Sequence, residues 1–180
     1  MPLRLEHLDA LYKAGSDESL WLWTANVVES KDDLRRYVKT ALEEFERKVS
    51  LPFVTIEKSS EKIVGSTRFG NIDAKNKKTE IGWTWINPRW QRSFINTEAK
   101  LLMLAHAFET WKCVRVEFKT DVLNVKSRNA ISRLGAKEEG VLRRHMITDN
   151  GRLRDTIYFS IIDTEWKNIK ENLNEKLRSF

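Results

Sequence analysis

The spacing of apolar residues switches repeatedly along this chain between a helical period and a strand period, and the order of the switches limits the folds open to it. In 31–48, Leu34, Val38, Ala41, Leu42 and Phe45 share one helical face. Ser30 stands at the cap position, and Asp32 and Asp33 occupy the first turn, where the helix dipole favours them. A shorter amphipathic run, with Leu5, Leu8, Leu11 and Tyr12, predicts a helix over 5–14 that Gly15 stops. The stretches 51–57, 62–69 and 79–86 are rich in β-branched and aromatic residues and predict three strands, separated by Ser59-Ser60 and by the turn-like 71–76. Short connections between consecutive strands imply an antiparallel meander.

The segment 97–110 is apolar nearly all round, which predicts a central helix covered on most sides. In 114–120, Val114, Val116 and Phe118 alternate with Arg115, Glu117 and Lys119, the signature of a strand with one polar face. A short helix over 124–134 follows, with Gly135 placed for a left-handed cap. Strands near 136–145 and 154–162 flank Asp149-Asn150-Gly151, a strong hairpin signal, and a polar helix over 163–177 closes the chain. The order is α+β, a meander leading into a β-α-β unit and a hairpin. A chain of 180 residues without a Pro/Gly/Ser-rich linker is read as one domain over 1–180.

A formal charge of +6 and a pI near 9.4 favour anionic partners, but nucleic acid has no support beyond that net charge. The densest basic run, Lys75, Lys77 and Lys78, borders a turn-like stretch and reads as a solvated loop. With Cys113 as its one cysteine the chain can form neither an intrachain disulfide nor a cysteine-cluster metal site, which suits a reducing compartment. No apolar run reaches membrane-span length and no signal-peptide pattern is apparent, so a soluble cytoplasmic protein without a metal is expected.

The informative junction is the loop from Asn87 to Asn96, between a strand and a helix expected to begin near Thr97. Such a loop aims unpaired amides and the positive end of a helix dipole at one point, suiting a diphosphate, and Arg89 and Arg92 add charge there. The run Glu80-Ile81-Gly82-Trp83-Thr84-Trp85-Ile86-Asn87-Pro88, then Gln91 and Asn96-Thr97-Glu98-Ala99-Lys100, resembles the acetyl-CoA-binding segment of GNAT N-acetyltransferases of the RimJ/RimL-like branch. Asn124 to Ala136 resembles that branch's second signature, and Glu139-Gly140-Val141-Leu142-Arg143, Gly151, Arg154-Asp155-Thr156, Ser160-Ile161 and Glu165-Trp166 extend the likeness over roughly residues 30 to 166.

The resemblance implies a GNAT fold: a mixed, mostly antiparallel sheet of about six to seven strands, splayed in the middle, with helices on both faces. It implies acetyl-CoA as cosubstrate and direct transfer to a primary amine, either a protein N-terminus or a small molecule. Backbone groups of Trp85, Ile86 and Asn87 would pair with the pantetheine arm as with an added strand. The segment Gln91, Arg92, Ser93, Phe94, Ile95, Asn96 and Thr97 would hold the diphosphate. Asn124 would contact the arm or the substrate and Ser127 would protonate the departing thiolate, although Asn124 equally suits a plain helix cap. Glu80 is the candidate base, its alternative being an ordinary strand-edge charge; His106 and His145 are further candidates. The family's loop has glycine where this chain has Phe94. Either Phe94 turns outward with ordinary dihedrals or its ring takes space meant for the cosubstrate, and the latter would leave a degenerate domain that binds coenzyme A or a protein partner. The acceptor site in this fold lies between the first two helices and the last hairpin. The residues before Leu5 are short for a first strand, and the sequence leaves oligomeric state open, a homodimer included.

Overall fold

The computed structural model describes residues 1–180. Helix α1 spans Leu8–Ala14, entered through a 3-10 turn at Leu5–His7, and α2 spans Lys31–Glu46. At the start of α2 the Ser30 hydroxyl accepts from the Asp33 amide at 3.2 Å while the Asp33 carboxylate accepts from the Ser30 amide at 2.8 Å. This reciprocal box satisfies donors that a helix start leaves unpaired.

Strands β1 (Leu51–Glu57), β2 (Lys62–Asp73) and β3 (Lys78–Ile86) form the meander. Helix α3 spans Phe94–Ala105 and runs on as a π-helical stretch at His106–Thr110; β4 (Arg115–Asp121), α4 (Val125–Arg133), β5 (Lys137–Ile147), β6 (Leu153–Ile162) and α5 (Asp163–Arg178) follow. The six strands lie in the order β1-β2-β3-β4-β6-β5, with β3 and β4 the only parallel neighbours.

Several boundaries differ from the sequence reading. Strand β2 runs to Asp73 because its far end still pairs with β3, Asp73 facing Lys78. Helix α3 begins at Phe94 rather than near Thr97, because the Ser93 hydroxyl caps it, accepting from the Ile95 amide at 3.4 Å. The hairpin forms as expected, but the Thr148 amide donates to the Arg152 carbonyl across three residues, and only Gly151 takes a positive φ, at 80°. That is a three-residue loop with glycine at its left-handed position rather than a two-residue turn. Gly135 caps α4 at φ 98°, as its sequence position suggests. In place of a full first strand, residues 1–3 lie along β1, where Leu3 donates to the Pro52 carbonyl at 2.9 Å and Pro2 bridges Phe53.

Alternation of side chains sends each strand's residues to two different environments. On one face, Phe69, Ile81, Val116, Phe118, Ile157, Phe159 and Ile161 pack with Met103 and Leu104 of α3, Ile131 of α4 and Ile169 and Leu173 of α5. On the other, α1 and α2 cover only the β1–β3 half, burying Leu8, Leu11, Leu34, Val38 and Ala41 with Trp21, Val54 and Trp85. The same face of the β4–β6 half carries Glu117, Lys119, Asp121, Tyr158 and Ser160. No helix of the chain is long and apolar enough to cross a membrane.

Candidate active site

β3 and β4 pair over only three rungs, Lys78 with Arg115, Thr79 with Val116 and Glu80 with Glu117. Beyond Glu80 the two strands part, so the sheet opens into a wedge walled by 81–86 on one side and 118–121 on the other. A bulge lies in the β3 wall, since Arg68 and Ser66 of β2 face Gly82 and Trp85, leaving one extra residue on β3. Trp83 absorbs it with φ 49°, a left-handed conformation that costs a non-glycine residue roughly 1–2 kcal/mol. Tertiary contacts hold it there: the Tyr37 hydroxyl donates to the Trp83 carbonyl at 3.3 Å, and the ring lies so close over Gly70 that a Cβ there would meet it at 2.4 Å. The bulge also shifts the alternation of β3. Trp83 and Trp85 consequently share the α1–α2 face, while Thr84 turns toward α3.

Each parting strand runs into a helix start. At the end of β3 the Asn87 amide donates to the Val64 carbonyl at 2.8 Å, and alternation turns the Ile86 amide toward the wedge. The Ile86 carbonyl accepts from Gln91 Nε2 at 2.8 Å, and Asn87 Nδ2 donates to the Ala14 carbonyl at 2.8 Å, tying the loop to α1. Arg92 carries the unusual backbone of this loop, φ 59°, and Phe94 is an ordinary first-turn helical residue. The Phe94 ring is half-exposed and meets Phe180 edge-on at 6.5 Å. Of the outward-turned and space-filling alternatives, the structure has the first. Neither Arg89 nor Arg92 has an acidic partner; Arg89 lies over the Trp90 ring at 5.3 Å.

Ile95 is buried with Val64 and Ile86, fixing the helix start against the strand. Thr97 is buried and accepts from Arg133 at 3.1 Å, which joins the start of α3 to α4. Asn96 Oδ1 is buried with no donor. At the end of β4, Asn124 caps α4, its side chain accepting from the Ser127 amide at 3.0 Å, and the Ser127 hydroxyl has no partner within the chain. An open wedge, first-turn amides of α3 beyond the one that Ser93 caps, and two arginines without acidic partners together fit an extended arm ending in a diphosphate. The residues of 91–97 would hold the phosphates of coenzyme A and the wedge its arm, and that molecule would supply an activated acyl group.

Glu80 is no surface charge. It is 2% exposed and stands on the last paired rung, at the apex of the wedge, on the α1–α2 face. Its Oε2 accepts from Asn71 Nδ2 at 2.7 Å and pairs with Lys119 Nζ at 2.9 Å. His106 packs against Trp111 and Phe69 on the opposite face, whereas exposed His145 meets Tyr158 edge-on at 5.7 Å on β5. Trp85 belongs to the core, 5.4 Å from Trp21, so only Trp83 of the tryptophan pair faces the cleft, with the Arg68 guanidinium 4.1 Å from its ring centroid. Beside it, a cavity of about 120 Å³ is lined by Asp33, Arg36, Tyr37 and Arg68 and closed by Asp149 of the hairpin, which accepts from the Val27 amide at 3.1 Å.

Sequence reasoning passed over Lys119 and Lys100. Lys119 showed only as one of the polar alternates of its strand. Lys100 is 4% exposed and donates to Thr67 and Thr84, both at 2.7 Å, with no carboxylate in reach. Burial pushes its amine down to about 7. A charged residue on the apolar stripe of α3 was the one signal that could have marked it.

Fold and wedge together define a class: sheets parted between two parallel strands, each feeding a helix start, as in GCN5-related acetyltransferases. The sequence profile of the acetyltransferase (GNAT) domain matches residues 1–137. A GCN5-related N-acetyltransferase from Brucella melitensis superposes with a TM-score of 0.90 at 30% identity, covering 98% of this chain and 80% of that one. Mycobacterium smegmatis RimJ, solved with CoA-disulfide, shares the fold at 22% identity and a TM-score of 0.81 over 97% and 87% of the two chains. YdaF of Bacillus subtilis strain 168, provisionally named a ribosomal N-acetyltransferase, is 34% identical over 108 residues, 60% of this chain and 58% of its own length. The chain belongs to the GNAT acetyltransferase family.

Proposed function

We propose that this chain transfers an acetyl group from acetyl-coenzyme A directly to a primary amine, in a ternary complex and with no covalent enzyme intermediate. The observation that carries the reading is the parting of β3 and β4 after three rungs, with a helix start at the end of each strand. The likeness to YdaF supports a protein N-terminus as acceptor, with a small amine as the other member of the class.

In this reading the wedge edge of β3 around Ile86 pairs with the arm, and the first-turn amides of α3, with Arg89 and Arg92, hold the diphosphate. The free Ser127 hydroxyl delivers a proton to the departing sulfur. Glu80, at the apex of the wedge on the α1–α2 face, receives the proton of the attacking amine, which must be neutral to act as a nucleophile. Phe94, turned toward solvent and Phe180, lends no support to a degenerate domain.

Acetyl-CoA at 100 times its dissociation constant should stabilise the fold by about 2.7 kcal/mol, read as a rise in Tm. A panel of amines and N-terminal peptides, followed by release of free coenzyme A thiol, should then identify the acceptor. No Tm shift at millimolar acetyl-CoA would overturn the reading.

A further inference from the structure

The ammonium of Lys119 sits in surroundings built for an amine. Its Nζ is 2.9 Å from Glu80 Oε2, 5.8 Å from the centroid of the Trp83 ring and 5.9 Å from that of Tyr158. A carboxylate and two aromatic rings around one ammonium form a cation site, the rings acting through their negative faces. The parts come from three strands: Glu80 and Trp83 from β3, Lys119 from β4 and Tyr158 from β6. Trp83 reaches this position only because the bulge turns it to the same face as Glu80. The Lys119 side chain is 19% exposed, so the amine is enclosed without being sealed off. Lys119 is also the second residue of β4 beyond the last paired rung, which places it in the wedge wall at the apex rather than deep in a packed layer. A structural ion pair between β3 and β4 could have been buried anywhere along the paired rungs; this one stands where the strands part.

We propose that Glu80, Trp83 and Tyr158 form the amine-recognition pocket of the enzyme, and that Lys119, which fills it in the absence of an acceptor, is itself acetylated in cis. The inference rests on the proposed transferase activity. In the step, the Lys119 ammonium yields its proton to Glu80, and the neutral nitrogen attacks the thioester carbonyl. The carbon–nitrogen bond forms, the carbon–sulfur bond breaks, and the sulfur leaves as a thiolate that takes up one proton. The products are Nε-acetyl-Lys119 and free coenzyme A, with one proton released overall and no oxidation or reduction. Acetylation removes the charge of Lys119 and with it the partner of Glu80, so an acetylated chain presents an unpaired carboxylate to an incoming acceptor.

The test is a time course of the full chain with acetyl-CoA and no acceptor, followed by intact mass and peptide mapping. Lys119 should be acetylated ahead of exposed lysines such as Lys137, and faster than in the same chain unfolded in urea. Glu80→Gln should slow that modification by about a hundredfold, the lower end of what a positioned base contributes. An amine acceptor found by thiol release should slow it as well, because both occupy one pocket. Equal labelling of Lys119 in folded and unfolded chain would overturn the proposal, as would thiol release to added amines with Lys119 unmodified. That last outcome leaves the transferase reading intact, whereas loss of both thiol release and the acetyl-CoA Tm shift removes the two together. The wild-type time course decides the matter even if Glu80→Gln fails to fold.

Discussion

The two halves of the sheet treat the same face in opposite ways. Beneath α1 and α2, the β1–β3 half buries Trp21, Leu34, Val38, Val54 and Trp85 in one packed layer. Across the wedge, the β4–β6 half turns Glu117, Lys119, Asp121 and Tyr158 to that face, with no helix packed over them and with Arg115, Arg152 and Arg154 supplying counter-charge. The opposite face is mainly apolar, closed by α3, α4 and α5, with Lys100, Thr67 and Thr84 as a buried polar cluster within it. One half therefore braces the wedge with a packed layer, and the other turns a polar surface to the same face. Stability and chemistry are divided between neighbouring strands, not between a core and a distant loop.

The division can be broken most forcefully from the closed half. Trp21→Ala removes a side chain packed on both Trp85 and Tyr37 and should cost about 3–5 kcal/mol in urea unfolding; a loss below 1 kcal/mol would mean that this layer is not the scaffold. Ser127→Ala, at the mouth, should lower kcat about a hundredfold with Tm unchanged, since the hydroxyl holds no intrachain bond. An unaltered kcat would move the proton donor elsewhere.

Lys100 sharpens the contrast from between the layers. Its folded value of about 7 lies below the ordinary 10.5 of a lysine, so between these values the unfolded chain carries a proton that the folded chain lacks. Stability should therefore rise from pH 7 toward 10.5, with the full cost of the buried charge remaining below pH 7. Lys100→Met should flatten that rise in denaturation curves taken across the range. The smallest effect belongs to the open face: Tyr158→Phe, which keeps the ring and removes a hydroxyl that makes no hydrogen bond in the chain, should change unfolding free energy by no more than about 0.5 kcal/mol.

The reach of sequence reading follows the same division. The capped helix at Lys31, the meander, the apolar α3, the Gly135 cap and the final hairpin were all legible because local period and cap chemistry dictate them. Ser127 and the segment 91–97 were nominated by likeness, and the start of α3 was misplaced by three residues because Ser93 reads as loop until its hydroxyl is seen capping. The bulge at Trp83 was not legible, since a tryptophan with positive φ contradicts every local preference and exists through Tyr37 and Gly70, distant in sequence.

What the sequence determined by itself was the order and type of the elements, because hydrophobic period, caps and turn residues act over a few neighbours. Tertiary structure alone decided where β3 and β4 part, that Glu80 is buried against Lys119, and that Phe94 faces outward while Arg92 takes the left-handed turn. Those features come from contacts between residues far apart along the chain, and their free energies depend on burial and geometry that no local pattern encodes.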